Sequence, residues 1–288
     1  MINYIDLFAG ACGLSEGFIQ VGFKPVAHVE MNPDACNTLR TRACYHYLRD
    51  TNNLNLYRRY EKGQITREEL YGQVPNEVLI SVINAEISKE TINDIFNQVD
   101  ELLAANPNWN NQVDVIIGGP PCQAYSLVGR AVKEDKMVDD PRNFLYQMYC
   151  RFLQRYNPKM FVFENVPGLL TANKGQHFKN LKKYMRRVGY EIEARELNAR
   201  NFGVLQNRKR IIIVGWQKNS QYYFPDIPMI QHNYLVNELF RDLPKLQAGE
   251  TNNRYTRARC SQYLTDFAIR EDGDVLTWHQ SLSMCGRD

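Results

Sequence analysis

The chain has 288 residues, 44% of them hydrophobic, enough for a sizeable core in one large domain or two smaller ones. A net charge of +3 is too small to argue for nucleic acid by itself, and no apolar run approaches the ~20 residues that span a bilayer. Seven cysteines at irregular spacings form neither a disulfide framework nor a zinc pattern, so no metal and a reducing, cytoplasmic setting are expected. The first residues, MINYIDLF, run straight into a strand without the basic region and cleavage site of a secretory signal.

In chain order the pattern reads strand then helix, repeated, over 4–8, 14–20, 25–29, 33–42, 78–83, 91–105, 113–117, 143–156, 160–163, 176–188 and 190–198, followed by 210–216. Such alternation predicts an α/β fold, a mostly parallel, doubly wound sheet with helices on both faces. Residues 45–76 are polar and charged and read as an insertion outside the sheet. After Trp216 the alternation fails, and 217–288 have no assignable fold.

Asp6-Leu7-Phe8-Ala9-Gly10-Ala11-Cys12-Gly13-Leu14 is a strand that turns through glycines into a helix. Gly10 and Gly13 permit positive φ and let a ligand approach the backbone. About twenty residues further on, Glu30 ends the second strand, where a carboxylate can accept hydrogen bonds from ribose hydroxyls. These parts suit a nucleoside-type cofactor, and they also occur in dinucleotide sites and in glycine turns without a ligand. The spacing is not GxGxxG, which disfavours a pyrophosphate cradle.

The stretch VDVIIGGPPCQAYS, 113–126, is a short apolar strand that stops at Gly118-Gly119. Pro120 and Pro121 then bar a regular helix and remove two backbone donors. Cys122 follows on stiff backbone at the strand's carboxyl end, where open α/β sheets bind ligands. A lone cysteine is ordinarily a small buried hydrophobe; here its glycine–proline frame and Gln123 argue for a presented thiol. Phe161-Val162-Phe163 delivers Glu164-Asn165-Val166 at a second strand end, where a buried carboxylate needs a partner. Gln206-Asn207-Arg208-Lys209-Arg210 precedes a third apolar run; residues two apart on an extended chain point the same way, so Arg208 and Arg210 are expected to face one pocket.

These motifs resemble those of the DNA cytosine-5 methyltransferases and arrive in that family's order. Gly119-Pro120-Pro121-Cys122-Gln123 is similar to the nucleophile motif, Glu164-Asn165-Val166 to the sixth, and QNRKR to the eighth, with Arg208 and Arg210 as the matching arginines. DLFAGACGLSEGF resembles the first motif, whose ligand is S-adenosylmethionine. The resemblance implies a Rossmann-like S-adenosylmethionine-dependent methyltransferase fold. Phe8 would lie near the adenine, and the turn of Ala9, Gly10, Cys12, Gly13 and Leu14 would face the methionine part. Glu30, next to Met31, would hold the ribose. The third motif is placed at Glu86-Ile87, with Asp94-Ile95 as the fallback. Gly119, Pro121 and Leu145 match positions lining the same pocket, and Leu145 reads equally as a core leucine.

The chemistry the resemblance implies is methyl transfer to carbon 5 of cytosine. Cys122 adds to carbon 6 as a nucleophile. Glu164, protonated or sharing a proton, hydrogen-bonds N3. Arg210, supported by Arg208, donates to O2 as charge develops there. The base must leave the duplex stack, so double-stranded DNA is the expected partner. Residues 123–139, with Ser126, Gly129, Arg130, Lys133 and Lys136, read as a closing lid or as a plain surface loop. Lys179, Lys182, Lys183, Arg186 and Arg187 share one helical stretch, a pattern more often a solvated face than a DNA contact.

The resemblance covers about 3–216, so 1–216 is expected to be the catalytic and cofactor-binding domain. The family's ninth and tenth motifs are not found in 217–288, which suggests the start of a target-recognition region or a partner-binding tail. Either the chain is a fragment or a second polypeptide supplies the rest. A DNA-associated enzyme of bacterial or phage type, in a restriction-modification system, is the expectation. The tRNA-methylating branch, whose Cys-Phe-Thr tripeptide is absent, and a non-catalytic subunit of a split enzyme are the alternatives.

Overall fold

The computed structural model describes residues 1–121 and 145–283. Seven strands form one sheet in the order β3-β2-β1-β4-β5-β7-β6: β1 (Asn3–Leu7), β2 (Lys24–Glu30), β3 (Val82–Asn84), β4 (Val115–Gly118), β5 (Met160–Asn165), β6 (Tyr190–Asn198) and β7 (Lys209–Gln217). Pairing is parallel for β1–β2, β2–β3, β1–β4 and β4–β5, and antiparallel for β5–β7. This is the mostly parallel α/β sheet that the alternating pattern predicts. The chain winds outward from β1 to β3, then returns to the other side of β1 as β4. That reversal between β1 and β4 is a topological switch point, where a crevice opens beyond the carboxyl ends of the strands.

Apolar runs put their side chains into one core because both faces of the sheet are covered. Ile5, Leu7, Val29, Ile116, Phe161 and Ile213 are buried there. Truncating a phenylalanine such as Phe161 to alanine would cost about 3–5 kcal/mol. The helix Leu145–Tyr156 turns Tyr149, Phe152 and Leu153 inward. Its Tyr149 hydroxyl lies 3.1 Å from the carbonyl oxygens of both Ile116 and Val162, tying the helix to β4 and β5. The helix Pro33–Asp50 starts at Asn32, whose side chain accepts from the Asp34 and Ala35 amides.

Two element boundaries differ from expectation. Residues 78–80 belong to the helix Asn76–Ile80, not to a strand; β3 is only Val82–Asn84. A short apolar run does not distinguish the two, and Pro75 at the cap starts a helix. The expected insertion also begins too early, because the helix from Pro33 continues to Asp50 and buries Cys44 and Leu48.

The chain divides into two compact units, one of 1–54, 67–197 and 209–226, the other of 55–66, 198–208 and 227–288. The first contains most of the sheet. The second has its own polar centre, in which Arg270 and Asp242 form a buried ion pair and Arg270 lies 3.5 Å over the Tyr255 ring. Its helix Gln262–Asp266 is capped by Ser261, and the Tyr263 hydroxyl donates to the Gly203 carbonyl at 3.1 Å. Thus most of 217–288, unassigned from sequence, groups as 227–288 with the two earlier segments 55–66 and 198–208, while 217–226 belong to the first unit. Among the described residues no helix is long and apolar enough to cross a membrane.

Candidate active site

Strand register brings the candidate residues into one row. Leu7 pairs with Val29 on one side and Gly118 on the other, and Gly118 pairs with Phe163. The next residues on these four strands are Glu30, Phe8, Gly119 and Glu164. Four positions singled out from distant parts of the sequence therefore stand side by side at the carboxyl edge of the sheet.

A cleft of about 890 Å³ opens at this edge. Phe8, Glu30, Met31, Glu86, Ile87, Gly119, Pro121 and Leu145 all line it. Glu30 is held on both carboxylate oxygens: the Gly10 amide donates to one and the Asn32 amide to the other, each at 2.8 Å. A carboxylate oxygen has a second lone pair, so the group is fixed in place yet can still accept from a ligand. Phe8 has φ +57°, a left-handed backbone that costs a non-glycine residue about 1–2 kcal/mol. Gly10 meets the same demand without that cost, at φ +56°.

Other members of the expected cofactor set stand elsewhere. Gly13 does not take a positive φ; it opens the helix Gly13–Gln20, and the left-handed position falls on Cys12, φ +76°. That turn sends the Cys12 thiol and the Ala9 methyl into a small core cluster with Cys36 and Leu39, away from the cleft. Leu14 lies half-buried in the helix's first turn. The fallback Asp94-Ile95 is on the helix Ile92–Ala105, with Ile95 in the core, so the cleft favours Glu86-Ile87. Asn32, Gln147 and Met148 also line the cleft and were not foreseen. Asn32 was findable: an asparagine before proline is a helix-start signal. Beneath the cleft the Asp6 carboxylate contacts His28 Nδ1 at 3.4 Å between β1 and β2, and burial pushes Asp6 up.

At the other end of the row, Arg210 Nε meets Glu164 Oε1 at 2.6 Å. β7 runs against β5, with Glu164 opposite Ile212 and Asn165 opposite Ile211, so the start of β7 lies beside the end of β5. Glu164 Oε2 would be 2.8 Å from a Cβ built on Gly119, a contact real Cβ atoms essentially never show. Asn165 is buried, and its amide donates to the Pro120 carbonyl at 3.1 Å. Asn165 thus ties down Pro120, and the Glu164 carboxylate fills the space beside Gly119, just ahead of Pro121. Cys122 itself and the expected lid 123–139 lie outside the described residues.

Arg208 is not a strand residue. β7 begins at Lys209, so the alternation that would align Arg208 with Arg210 does not apply. Its side chain is exposed, and it belongs to the second unit, where its carbonyl accepts from the Ala199 amide at 2.9 Å. Among the described cysteines, burial pushes Cys12 and Cys150 up to about 12 and Cys44 up to about 11, so all three stay thiols at neutral pH. They are unsuited to nucleophilic attack.

The family model for C-5 cytosine-specific DNA methylases matches residues 2–66 and 76–274. The chain belongs to the C-5 cytosine-specific DNA methylase family. The match extends well past residue 216, where the motif resemblance stops. The type II methyltransferase M.Bpa9945I of Bacillus paralicheniformis is 36% identical over 317 aligned positions, which cover 99% of this chain and 71% of that protein. M1.HphI of Haemophilus parahaemolyticus is 32% identical over 251 positions, covering 87% of this chain and 55% of that one. A solved E. coli prophage protein, assigned as a DNA modification methyltransferase, shares the fold with a TM-score of 0.58 and 21% identity, over 92% of this chain and 63% of its own. The methylase chain described here therefore corresponds to part of the length of these relatives, and its seven-stranded sheet is that of an S-adenosylmethionine-dependent methyltransferase.

Proposed function

We propose that the chain methylates carbon 5 of a cytosine flipped out of duplex DNA, with S-adenosylmethionine as donor, within a type II restriction-modification system. The observation that carries this reading is the Glu164–Arg210 pair, whose carboxylate fills the space beside Gly119, itself a lining residue of the Glu30–Phe8 cleft. It joins an acid–arginine pair to the entrance of the cysteine motif and to a cofactor-sized space.

The cleft fits S-adenosylmethionine. Glu30 has lone pairs directed by two fixed amide bonds and is suited to the ribose hydroxyls; Phe8 offers an aromatic face for adenine; Glu86, which lines the same cleft, would accept from its exocyclic amine. The bound group supplies an electrophilic methyl. Gly10, Met31, Ile87, Gly119, Pro121 and Leu145 complete the binding set, with Ala9, Cys12, Gly13 and Leu14 acting through the backbone turn rather than as lining side chains.

The chain's own residues make the cytosine reactive. The Cys122 thiolate forms a bond to carbon 6, which moves electron density toward N3, O2 and carbon 5. Glu164 hydrogen-bonds N3, and Arg210 donates to O2 as negative charge grows there. Arg208 would steady the substrate. After methylation the carbon-5 proton leaves and the carbon–sulfur bond breaks, releasing Cys122. A second polypeptide would supply further target-recognition elements; the aligned regions cover 71% and 55% of two relatives.

The test is a duplex containing 5-fluorocytosine, incubated with the chain and S-adenosylmethionine, with and without a candidate second polypeptide. Fluorine does not leave as a cation, so attack traps the protein on DNA. A denaturation-resistant complex that disappears in Cys122→Ala supports the reading. Trapping that persists in Cys122→Ala, or that occurs on tRNA and not on duplex DNA, overturns it.

A further inference from the structure

We infer that the basic face of the helix Gln176–Arg187 is a second DNA-contact surface that grips backbone phosphates away from the flipped base. This rests on the proposed action on duplex DNA. Lys179, Lys182, Lys183, Arg186 and Arg187 fall at helical positions i, i+3, i+4, i+7 and i+8, which is one face. The opposite face buries Leu181 and Met185 in the core, so the basic side is held outward. With Lys218, which follows β7, these five line an open groove of about 690 Å³, and among the described residues no carboxylate lines it.

Part of this charge has a local explanation. Cations are favoured at a helix carboxyl end, and Lys218 Nζ donates to the Arg186 carbonyl there at 2.8 Å. That covers Arg186, Arg187 and Lys218. Lys179, Lys182 and Lys183 stand a turn or more earlier, where like charges at these spacings repel and no dipole compensates. None of the ion pairs among the described residues includes them. A polyanion laid along the groove relieves the repulsion.

Topology says where that polyanion runs. The helix leads from the carboxyl end of β5, where Glu164 stands, back to the start of β6. Its basic stripe therefore descends the flank of the sheet from the catalytic edge. Lys179 to Arg187 spans about 12 Å at the helical rise, comparable to three or four phosphate intervals of a duplex strand. A duplex seated at the catalytic edge would meet the Lys179 end first.

The experiment measures binding of the full 288-residue chain to random-sequence duplex DNA between 50 and 200 mM salt (about a fourfold range, over which counterion release is read out). The variant is Lys179→Gln/Lys182→Gln/Lys183→Gln, with the triple Lys→Arg as its charge-preserving control. The glutamine variant should bind at least tenfold more weakly at the low-salt end. Its slope of log affinity against log salt should be shallower by about 2–3, at roughly 0.9 for each phosphate no longer neutralised. The arginine variant should keep both, and the melting temperature of each should equal or exceed that of the parent. An unchanged slope overturns the proposal, as does a weakening seen with tRNA and not with duplex DNA. Adduct formation on 5-fluorocytosine DNA at saturating duplex should survive the glutamine change. If the parent chain forms no adduct even with the candidate second polypeptide, the catalytic reading falls while the slope still reports on the stripe.

Discussion

The Glu164 carboxylate occupies the space a side chain on Gly119 would need: a Cβ built there falls 2.8 Å from Oε2. The glycine in the cysteine motif is thus a seat for the glutamate, beyond any freedom it gives the backbone. Gly119→Ala should displace the carboxylate from Arg210 and lower the methylation rate at least tenfold. Melting should change little, because Glu164 is partly exposed and can move outward. Unimpaired turnover in this variant would show that the contact is not used.

Arg210 and Glu164 should be separable from stability. Both side chains keep about a quarter of their surface exposed, 24% and 29%, and a pair so placed contributes on the order of 0–1 kcal/mol. Arg210→Ala and Glu164→Gln should each slow methyl transfer by roughly 10²–10³, the usual cost of losing one oxyanion-type donor. Single-turnover assays with calorimetry on the same preparations check this. A large fall in melting temperature with little change in rate would make the pair structural.

Glu30 should couple cofactor affinity to the loop. Replacing it with alanine strips the acceptor from the part-buried Gly10 amide, at a cost of up to about 1–3 kcal/mol, and frees the exposed Asn32 amide to water. Titration calorimetry should find S-adenosylmethionine binding at least tenfold weaker for Glu30→Ala. Undiminished affinity would remove Glu30 from the cofactor site.

The buried thiols set an alkaline limit. Cys12 and Cys150 sit at about 12 when folded, against an ordinary 9.0, because burial disfavours the thiolate. Between those values the folded chain holds more protons than the unfolded chain. Stability from these groups is therefore full below pH 9.0 and is lost as pH rises toward about 12. Each contributes a slope of up to roughly 1.4 kcal/mol per pH unit. The melting temperature should fall across this window, and Cys150→Ala should flatten the decline; an equal decline in parent and variant would contradict the assignment.

Much of the sheet was readable because its strands are short apolar runs closed by glycine, proline or asparagine, each followed by a helix-period segment. Phe8, Glu30, Gly119 and Glu164 meet at one edge because each follows the last paired residue, or ends the pairing, of a neighbouring strand. Asn165, quoted only as part of a motif, shows what pattern cannot supply: its bond to Pro120 depends on two strands meeting in one register. The second unit was illegible for a related reason. Its three segments are far apart in sequence, and the Arg270–Asp242 pair that anchors it looks like two ordinary surface charges. Arg208 stands one residue before β7, so strand alternation gives no account of where its side chain points.

Since β7 enters the sheet at the edge where β5 leaves it, Arg210 stands in the strand, one residue ahead of the β5–β7 ladder, and not in a loop. Deleting this one residue would bring Lys209 into the vacated position, next to an otherwise unchanged ladder. A compact ammonium would then stand where a planar fork had been, with the same sign of charge but without paired, fixed donors. An enzyme altered in that way would test shape against charge at a single atom's reach from Glu164.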